Sequence, residues 1–256
     1  MTSEKTTTSR AIVTIGILWV LLTAAGVLVS IYATPWLMPD SASNTMHMGI
    51  LTMIIFSVAA APVAALVYAV VLYALAKWRY TGEGIPPDGP SLRANSPLTM
   101  VWIIGSTALT LFLLVWGLSL LASDNSGQGG ANEMTVNVTG QQWLWSFQYP
   151  STASTQNGTP VSVSNEDLYL PVNTPIKFNV TSKDVDHGFW IVQMGIKINA
   201  IPDTITTTEV TPNKLGDYDI RCTEICGLNH SYMTTKVHVL TEKAFSNWLA
   251  AQPKHF

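Results

Sequence analysis

Three long apolar runs dominate the first half of the chain, from about Ile12 to Ala33, Met48 to Ala76 and Leu98 to Ala122, and none contains an Asp, Glu, Lys or Arg. Each reaches the roughly 20 residues that a helix needs to cross a bilayer core. Tyr32, Trp36, Tyr73, Trp78, Tyr80, Trp102 and Trp116 lie towards the run ends, where amphipathic rings favour the interface. Pro62, near the middle of the second run, is expected to kink it. After the polar stretch Ser123-Asp-Asn-Ser-Gly-Gln-Gly-Gly130 the pattern changes to alternation. Met134-Thr-Val136-Asn-Val138, Ile176-Lys-Phe178-Asn-Val180 and Lys236-Val237-His-Val239 place apolar residues at every second position, as half-buried strands do. Asn157-Gly158, Pro171, Pro175 and Pro212 punctuate them, so many short strands between turns predict a sandwich or barrel. Gly140-Gln-Gln-Trp143-Leu-Trp145-Ser-Phe147-Gln-Tyr149 reads as one further strand whose aromatics share a face. A closing helix is predicted with Thr241 as N-cap and Phe245, Trp248 and Leu249 on one side.

The pattern divides the chain into residues 1–47 (a first helix, or a leader, with an outer connector), 48–122 (a helical hairpin), 123–133 (a linker) and 134–256 (a β-domain). The fold class is a membrane-anchored all-β protein, with three N-terminal transmembrane helices ahead of a β-sandwich or barrel that ends in a helix. Composition agrees: charged residues are 11% and hydrophobic residues 48% of the sequence, a balance that places part of it in lipid. A net charge of −3 gives no sign of a nucleic-acid partner. Lys5 and Arg10 precede the first run, the connector Thr34 to His47 has no Lys or Arg, and Lys77, Arg79 and Arg93 flank or occupy the second connector. The positive-inside rule then puts the N-terminus and the turn-rich connector Thr81 to Pro90 in the cytoplasm, and everything after Asp124 outside. The first run also has the basic start of a secretory signal, but its apolar stretch exceeds the roughly 7–15 residues of a signal core, which favours an uncleaved helix.

Chemistry concentrates in Arg221-Cys222-Thr-Glu224-Ile-Cys226-Gly227-Leu-Asn-His230-Ser-Tyr-Met233, which holds the only two cysteines together with a histidine and a methionine. Thiolates, imidazole and thioether form a soft donor set that favours copper or another thiophilic metal over calcium or magnesium. Residues three or four apart on a loop bounded by Gly227 can curl round one centre, and Tyr218 to Ile220 and Val237 to Val239 read as strands fixing its ends. Two alternatives stay open: a Cys222–Cys226 disulfide, since the loop lies on the oxidising side, and a zinc site completed by a histidine such as His187 in Asp184-Val-Asp186-His187. Zinc gives no reason for Met233, and blue copper uses one cysteine rather than two. His238, His47 and His255 read as structural or surface residues, and Met194 and Met38 as packing.

Cys-x-Glu-x-Cys-Gly-x-x-His-x-x-Met, preceded by Asp-Val-x-His and Lys-x-x-Ala-Ile-Pro, resembles the dinuclear copper (CuA) site of subunit II of the haem-copper cytochrome c oxidases. The resemblance runs from about Met48 to the C-terminus and implies a cupredoxin-like domain. It implies that Cys222 and Cys226 bridge both coppers, that His187 and Met233 complete one, and that His230 and the Glu224 backbone carbonyl complete the other. It further implies that the Glu224 side chain reaches a magnesium or manganese ion shared with subunit I. Trp143 matches the tryptophan through which the electron comes in; on a regular strand it would share a face with Trp145, Phe147 and Tyr149, so a twist or bulge is needed to expose it. The expected function is therefore that of the electron-accepting subunit of a terminal oxidase. It would take electrons from an external cytochrome c or small copper protein and pass them to haem in subunit I, where oxygen becomes water, with subunit III as a further partner. The expected location is a bacterial cytoplasmic membrane, with several spans and the C-terminal domain on the periplasmic side.

This sequence departs from the family at four positions. Thr99 stands where a glutamate is frequent, and no ionisable residue lies inside a span to relay protons. Gln141 and Leu144 replace a usual histidine and tyrosine, and Asn199 stands where an acid is frequent. Beyond Ser123 there are twelve Asp and Glu against eight Lys and Arg, a sparse charge that predicts docking through a mainly uncharged surface. Competing functions are the corresponding subunit of a related nitric oxide reductase, and a membrane-tethered copper- or zinc-binding module without electron transfer.

Overall fold

A computed structural model describes residues 2–80, 82–85, 95–125, 133–149, 161–164 and 167–252. Most of the connector 81–90, Arg93, the glycine-rich stretch 126–130, Asn157-Gly158 and His255 lie outside these residues. Three long helices open the chain, α1 (Thr2–Leu37), α2 (Asn44–Lys77) and α3 (Ser96–Asn125). Their apolar segments Ser9–Leu37, Asn44–Lys77 and Ser96–Ala122 have mean hydropathies of 2.6, 2.5 and 2.2 and are each long enough to cross a bilayer. The connector between α1 and α2 is shorter than expected, because α1 continues through Pro35 and α2 begins at Asn44, which takes His47 into its first turn. Pro62 does not interrupt α2, which remains one helix. Here the Trp19 indole N–H donates to the Pro62 carbonyl at 2.8 Å, and Gly26 gives α1 room beside Ala61, whose Cβ would lie 3.2 Å from a Cβ at that glycine.

The second unit is a cupredoxin-like β-sandwich. Its strands are β1 (Met134–Gln141), β2 (Leu144–Tyr149), β3 (Val161–Ser164), β4 (Leu168–Pro171), β5 (Ile176–Ser182), β6 (His187–Ile191), β7 (Ile196–Ala200), β8 (Thr206–Val210), β9 (Gly216–Cys222) and β10 (Thr234–Leu240), and it closes with α4 (Glu242–Ala251). They form two five-stranded sheets, in the orders β3-β2-β1-β5-β8 and β4-β10-β9-β6-β7. Two pairings are parallel, β1 with β5 and β4 with β10; the others are antiparallel. Alternation does what it predicted. Val136, Val138, Ile176, Phe178 and Val180 from one sheet, and Leu168, Leu170, Phe189, Ile191, Ile220 and Val237 from the other, are fully buried between the layers. Truncating one such side chain, Phe178→Ala for instance, removes about 3–5 kcal/mol.

Tyr149 ties the two sheets together. Its hydroxyl accepts from the Tyr169 N–H at 2.9 Å and donates to the Tyr169 carbonyl at 3.1 Å, and burial pushes the phenol's pKa well up, so it stays a neutral donor. Thr241 caps α4 through its side-chain oxygen, which accepts from the Ala244 N–H at 3.3 Å, and Phe245 and Leu249 are buried below it. Trp248 stacks on Tyr169 with ring centroids 4.2 Å apart.

Residues Pro39–Ile50 group with the β-unit. Ala42 and Ser43 are wholly buried: the Ser43 hydroxyl donates to the Met194 carbonyl at 2.7 Å and accepts from the Met46 N–H at 3.0 Å, capping α2. The Ala42 N–H donates to Gln193 O at 2.9 Å, and the Asn213 N–H donates to Ala42 O at 2.9 Å. Gly195, at φ 68°, is required here twice over, since a Cβ would meet the Met46 Cα at 3.0 Å.

Candidate metal centre

Strands β9 and β10 run antiparallel and deliver the two ends of the cysteine loop to the same place. Arg221 pairs with Thr234, and the Cys222 N–H donates to the Met233 carbonyl at 3.1 Å. Strand β6 lies on the other side of β9, with Phe189 opposite Cys222, and opens on His187. Gly188 lets this strand and the loop approach closely: the Thr223 N–H donates to its carbonyl at 3.0 Å, and a Cβ at Gly188 would collide with the Thr223 hydroxyl. Gly227, at φ 119°, turns the loop after Cys226 where a side chain would be strained.

The structure brings together all six residues that the sequence singled out. Cys222 and Cys226 are both buried and free, with sulfurs 3.8 Å apart, far beyond the roughly 2.05 Å of a disulfide bond. His187 Nδ1 lies 3.9 Å from Cys222 Sγ and His230 Nδ1 lies 3.5 Å from Cys226 Sγ. The Glu224 carbonyl is 3.3 Å from Cys222 Sγ, and Met233 Sδ is 3.9 Å from Cys226 Sγ. His187, Cys222 and Cys226 offer donor atoms that all lie within 4.8 Å of one another, a group able to hold a metal ion. His187 and Met233 are completely buried, whereas His230 and Glu224 are half-buried.

A carboxylate holds His187 from behind. Asp184 Oδ1 lies 2.8 Å from His187 Nε2, which leaves Nδ1 turned to the sulfurs. The same carboxylate accepts from the Gln142 N–H at 2.7 Å and from the Val185 N–H at 2.7 Å. Partial burial works to raise its pKa, but these N–H groups and the His187 ring outweigh it and hold it at about 2. Burial, with the adjacent Cys222, pushes the Cys226 thiol up to about 11, so without a metal the thiol is neutral, and metal binding displaces its proton. Gly140 completes the setting, since a Cβ there would stand 2.9 Å from His187 Cδ2 and 3.2 Å from Trp145 Cζ3.

Trp143 departs from the single-strand expectation. Gln142 and Trp143 are the two-residue turn between β1 and β2, with Gln141 paired to Leu144, so Trp143 escapes strand parity without a bulge while Trp145, Phe147 and Tyr149 are buried. Its indole N–H donates to the Cys226 carbonyl at 3.3 Å, and the Gln142 side chain donates to the same oxygen at 2.7 Å. The sequence pattern assigns no role to Gln142, Gly140 or Asp184. An Asp three residues before a candidate ligand histidine was the one available signal for the third.

Fold and site together define a class: a cupredoxin-like β-sandwich behind long apolar helices, with a soft-donor cluster that could hold a metal at one end of its sheets. Residues 156–240, which contain all six site residues, match the family model described as cytochrome c oxidase subunit II, periplasmic domain. The chain is similar to the probable cytochrome c oxidase subunit 2 of Rickettsia prowazekii, 32% identical over 136 residues covering 48% of this chain and 43% of the relative. It is also similar to cytochrome c oxidase subunit 2 of Synechocystis, 25% identical over 231 residues covering 73% and 67%. The chain thus spans about half the length of several curated relatives that it matches. Among solved structures, the periplasmic domain of subunit II of cytochrome oxidase from Bradyrhizobium japonicum is 29% identical, covering 46% of this chain and 92% of that one, with a TM-score of 0.42. The resemblance to subunit II of the cytochrome c oxidases is borne out by the family match and by the two curated relatives.

Proposed function

We propose that this chain is the electron-accepting subunit of a haem-copper terminal oxidase and that its site holds a dinuclear copper centre. The observation that carries the proposal is the pair of buried, unbonded cysteine sulfurs 3.8 Å apart, flanked by two imidazole Nδ1 atoms, a thioether and a backbone carbonyl. This soft donor set fits copper: Cys222, Cys226, His187, Met233, His230 and the Glu224 carbonyl would hold the two metals. Zinc leaves Met233 without a purpose, and a disulfide leaves both histidines without one. When bound, the centre supplies a one-electron store whose added charge is spread over two metals and two sulfurs.

The chain's own residues do the rest. Asp184 fixes the His187 ring, and Gly140 and Gly188 let strands close over the site so that the ligands hardly move when charge arrives. Trp143, hydrogen-bonded to the Cys226 carbonyl, would offer the external donor a short connection to the Cys226 side of the site. The half-buried Glu224 side chain is the candidate contact to a magnesium or manganese ion at the boundary with subunit I, which would carry the haem and the oxygen chemistry; subunit III is the further expected partner. The grouping of Pro39–Ile50 with the β-unit supports a connector and β-domain on one side of a bacterial cytoplasmic membrane, the periplasmic side by the basic-residue rule.

Metal analysis and visible spectroscopy of the purified complex test the proposal. Two coppers per site and a purple, mixed-valence spectrum that disappears in Cys222→Ser are expected. A colourless preparation with one zinc, or a Cys222–Cys226 bond in the active protein, would overturn it. Turnover of oxygen rather than nitric oxide separates the oxidase from the related reductase.

A further inference from the structure

The tip of the cysteine loop has little apolar packing to hold it. Ile225 and Leu228 are each 90% exposed, and Gly227 between them takes a φ of 119°, where no side chain limits the backbone. Cys226 is buried all the same, and beyond the glycine the His230 N–H donates to the Gly227 carbonyl at 3.2 Å. The placement of both candidate ligands therefore depends on what fixes the peptide between Cys226 and Gly227. Among the described residues, two side chains donate to its oxygen: Gln142 Nε2 at 2.7 Å and the Trp143 indole at 3.3 Å. The amide is the closer donor, and it fits because a Cβ at Gly227 would stand 2.9 Å from that nitrogen. The turn carrying Gln142 is itself anchored. Its main-chain N–H donates to Asp184 Oδ2 at 2.7 Å, Asp184 Oδ1 lies 2.8 Å from His187 Nε2, and the Lys183 N–H donates to the Gly140 carbonyl at 3.0 Å.

Resting on the reading of this cluster as a copper site, we infer that Gln142 is a positioning residue: its amide fastens the Cys226–Gly227 peptide to the wall that holds His187, and so keeps the Cys226 sulfur and the His230 ring in place before a metal arrives. An exposed glutamine in a turn ordinarily does no more than meet solvent. Gln142 differs because its main chain belongs to the wall behind one candidate ligand and its side chain to the loop that carries two others. Cys222 needs no such fastening, since it ends β9 and its N–H donates to the Met233 carbonyl at 3.1 Å. A donor set already ordered has less freedom to lose when an ion binds and shifts less when its charge changes.

The test uses Gln142→Met, which keeps the length of the side chain and the main-chain bond to Asp184 but removes the amide donor. In the full chain, detergent-solubilised, chemically reduced and free of metal, Cys226 is expected to react with iodoacetamide about 10-fold faster than in the unaltered chain, while Cys222 stays within about twofold. In the copper-loaded complex the same variant is expected to release copper to a chelator at least about 10-fold faster and to show a shifted visible band. Gln141→Met, one residue earlier on the same hairpin, is expected to match the unaltered chain in both measurements. An unchanged Cys226 rate in Gln142→Met, or equal acceleration of both cysteines, would overturn the inference, since the second outcome marks general loosening rather than a released loop. Faster Cys226 alkylation in a chain whose unaltered complex holds no copper would instead leave the fastening in place and sink the copper reading.

Discussion

His187 shows how much of the site is decided by groups that never touch a metal. One ring nitrogen is held by Asp184 and the other faces Cys222, while a missing side chain at position 140 makes room for the ring edge. Asp184→Asn keeps the shape but weakens the hold on the ring, and metal affinity is expected to fall about 10- to 100-fold in competition with a copper chelator. Copper retention equal to that of the unaltered chain would show that the carboxylate does not orient the ring. Gly140→Ala pushes on His187 and Trp145 together, and lower copper content with a shifted visible band is expected even if the chain still folds. The six candidate ligands were legible because their spacing is itself the chemical signature. Gly140 and Gln142 were not, since a close approach and a side-chain contact to a carbonyl 84 positions away leave no local pattern.

At the level of strands and helices, alternation identified β1, β5 and β10 and the cap identified α4, but the β1–β2 hairpin was hidden by its own regularity. Trp143 continues the odd-numbered spacing of Trp145, Phe147 and Tyr149 and so passes for strand. The sign that was present is a change of parity: β1 buries even positions and β2 odd ones, as a two-residue antiparallel turn pairing Val138 with Phe147 demands. Tyr149→Phe removes both hydrogen bonds that the phenol makes to the Tyr169 main chain and is expected to cost about 1–3 kcal/mol in denaturant unfolding. His238 also proved more than a surface residue, since Nδ1 lies 2.6 Å from Asp217, Nε2 lies 2.9 Å from Asp167, and the ring lies over Tyr169 at 4.7 Å. Both nitrogens can donate only in the imidazolium. Partial burial opposes that charge, but the two aspartates outweigh it and hold His238 above the usual histidine range. For Asp167, burial is likewise outweighed, by Thr235, His238 and the Lys236 N–H, and its pKa is lowered. The raised group stabilises the fold below its unfolded value and loses that contribution as pH rises through its folded one; the lowered group stabilises above its unfolded value and loses it as pH falls. The combined benefit is therefore greatest between about pH 4 and pH 6.5. Thermal unfolding of His238→Gln beside the unaltered chain should show a difference that is largest in that window and shrinks on either side. A difference independent of pH would exclude the charged pairing.

Across the whole molecule, composition and hydropathy were enough to divide the chain into apolar helices and a β-domain, because lipid and water impose different averages over twenty residues. Three crossings would set the N-terminus and the β-domain on opposite sides of the bilayer, so protease added to intact spheroplasts is expected to digest the domain and spare an N-terminal tag; digestion of the tag would refute the three-span topology. What averages could not reveal is that Ala42 and Ser43, between two such helices, belong to the interior of the β-unit, fixed to Gln193, Met194 and Asn213. Anyone excising a water-soluble fragment just after α3 would discard that plug, baring the carbonyls and the glycine it covers. Grafting 39–50 back through an artificial tether should restore what truncation takes away, and in the living cell the same dependence obliges the ribosome's early product to wait for its late one.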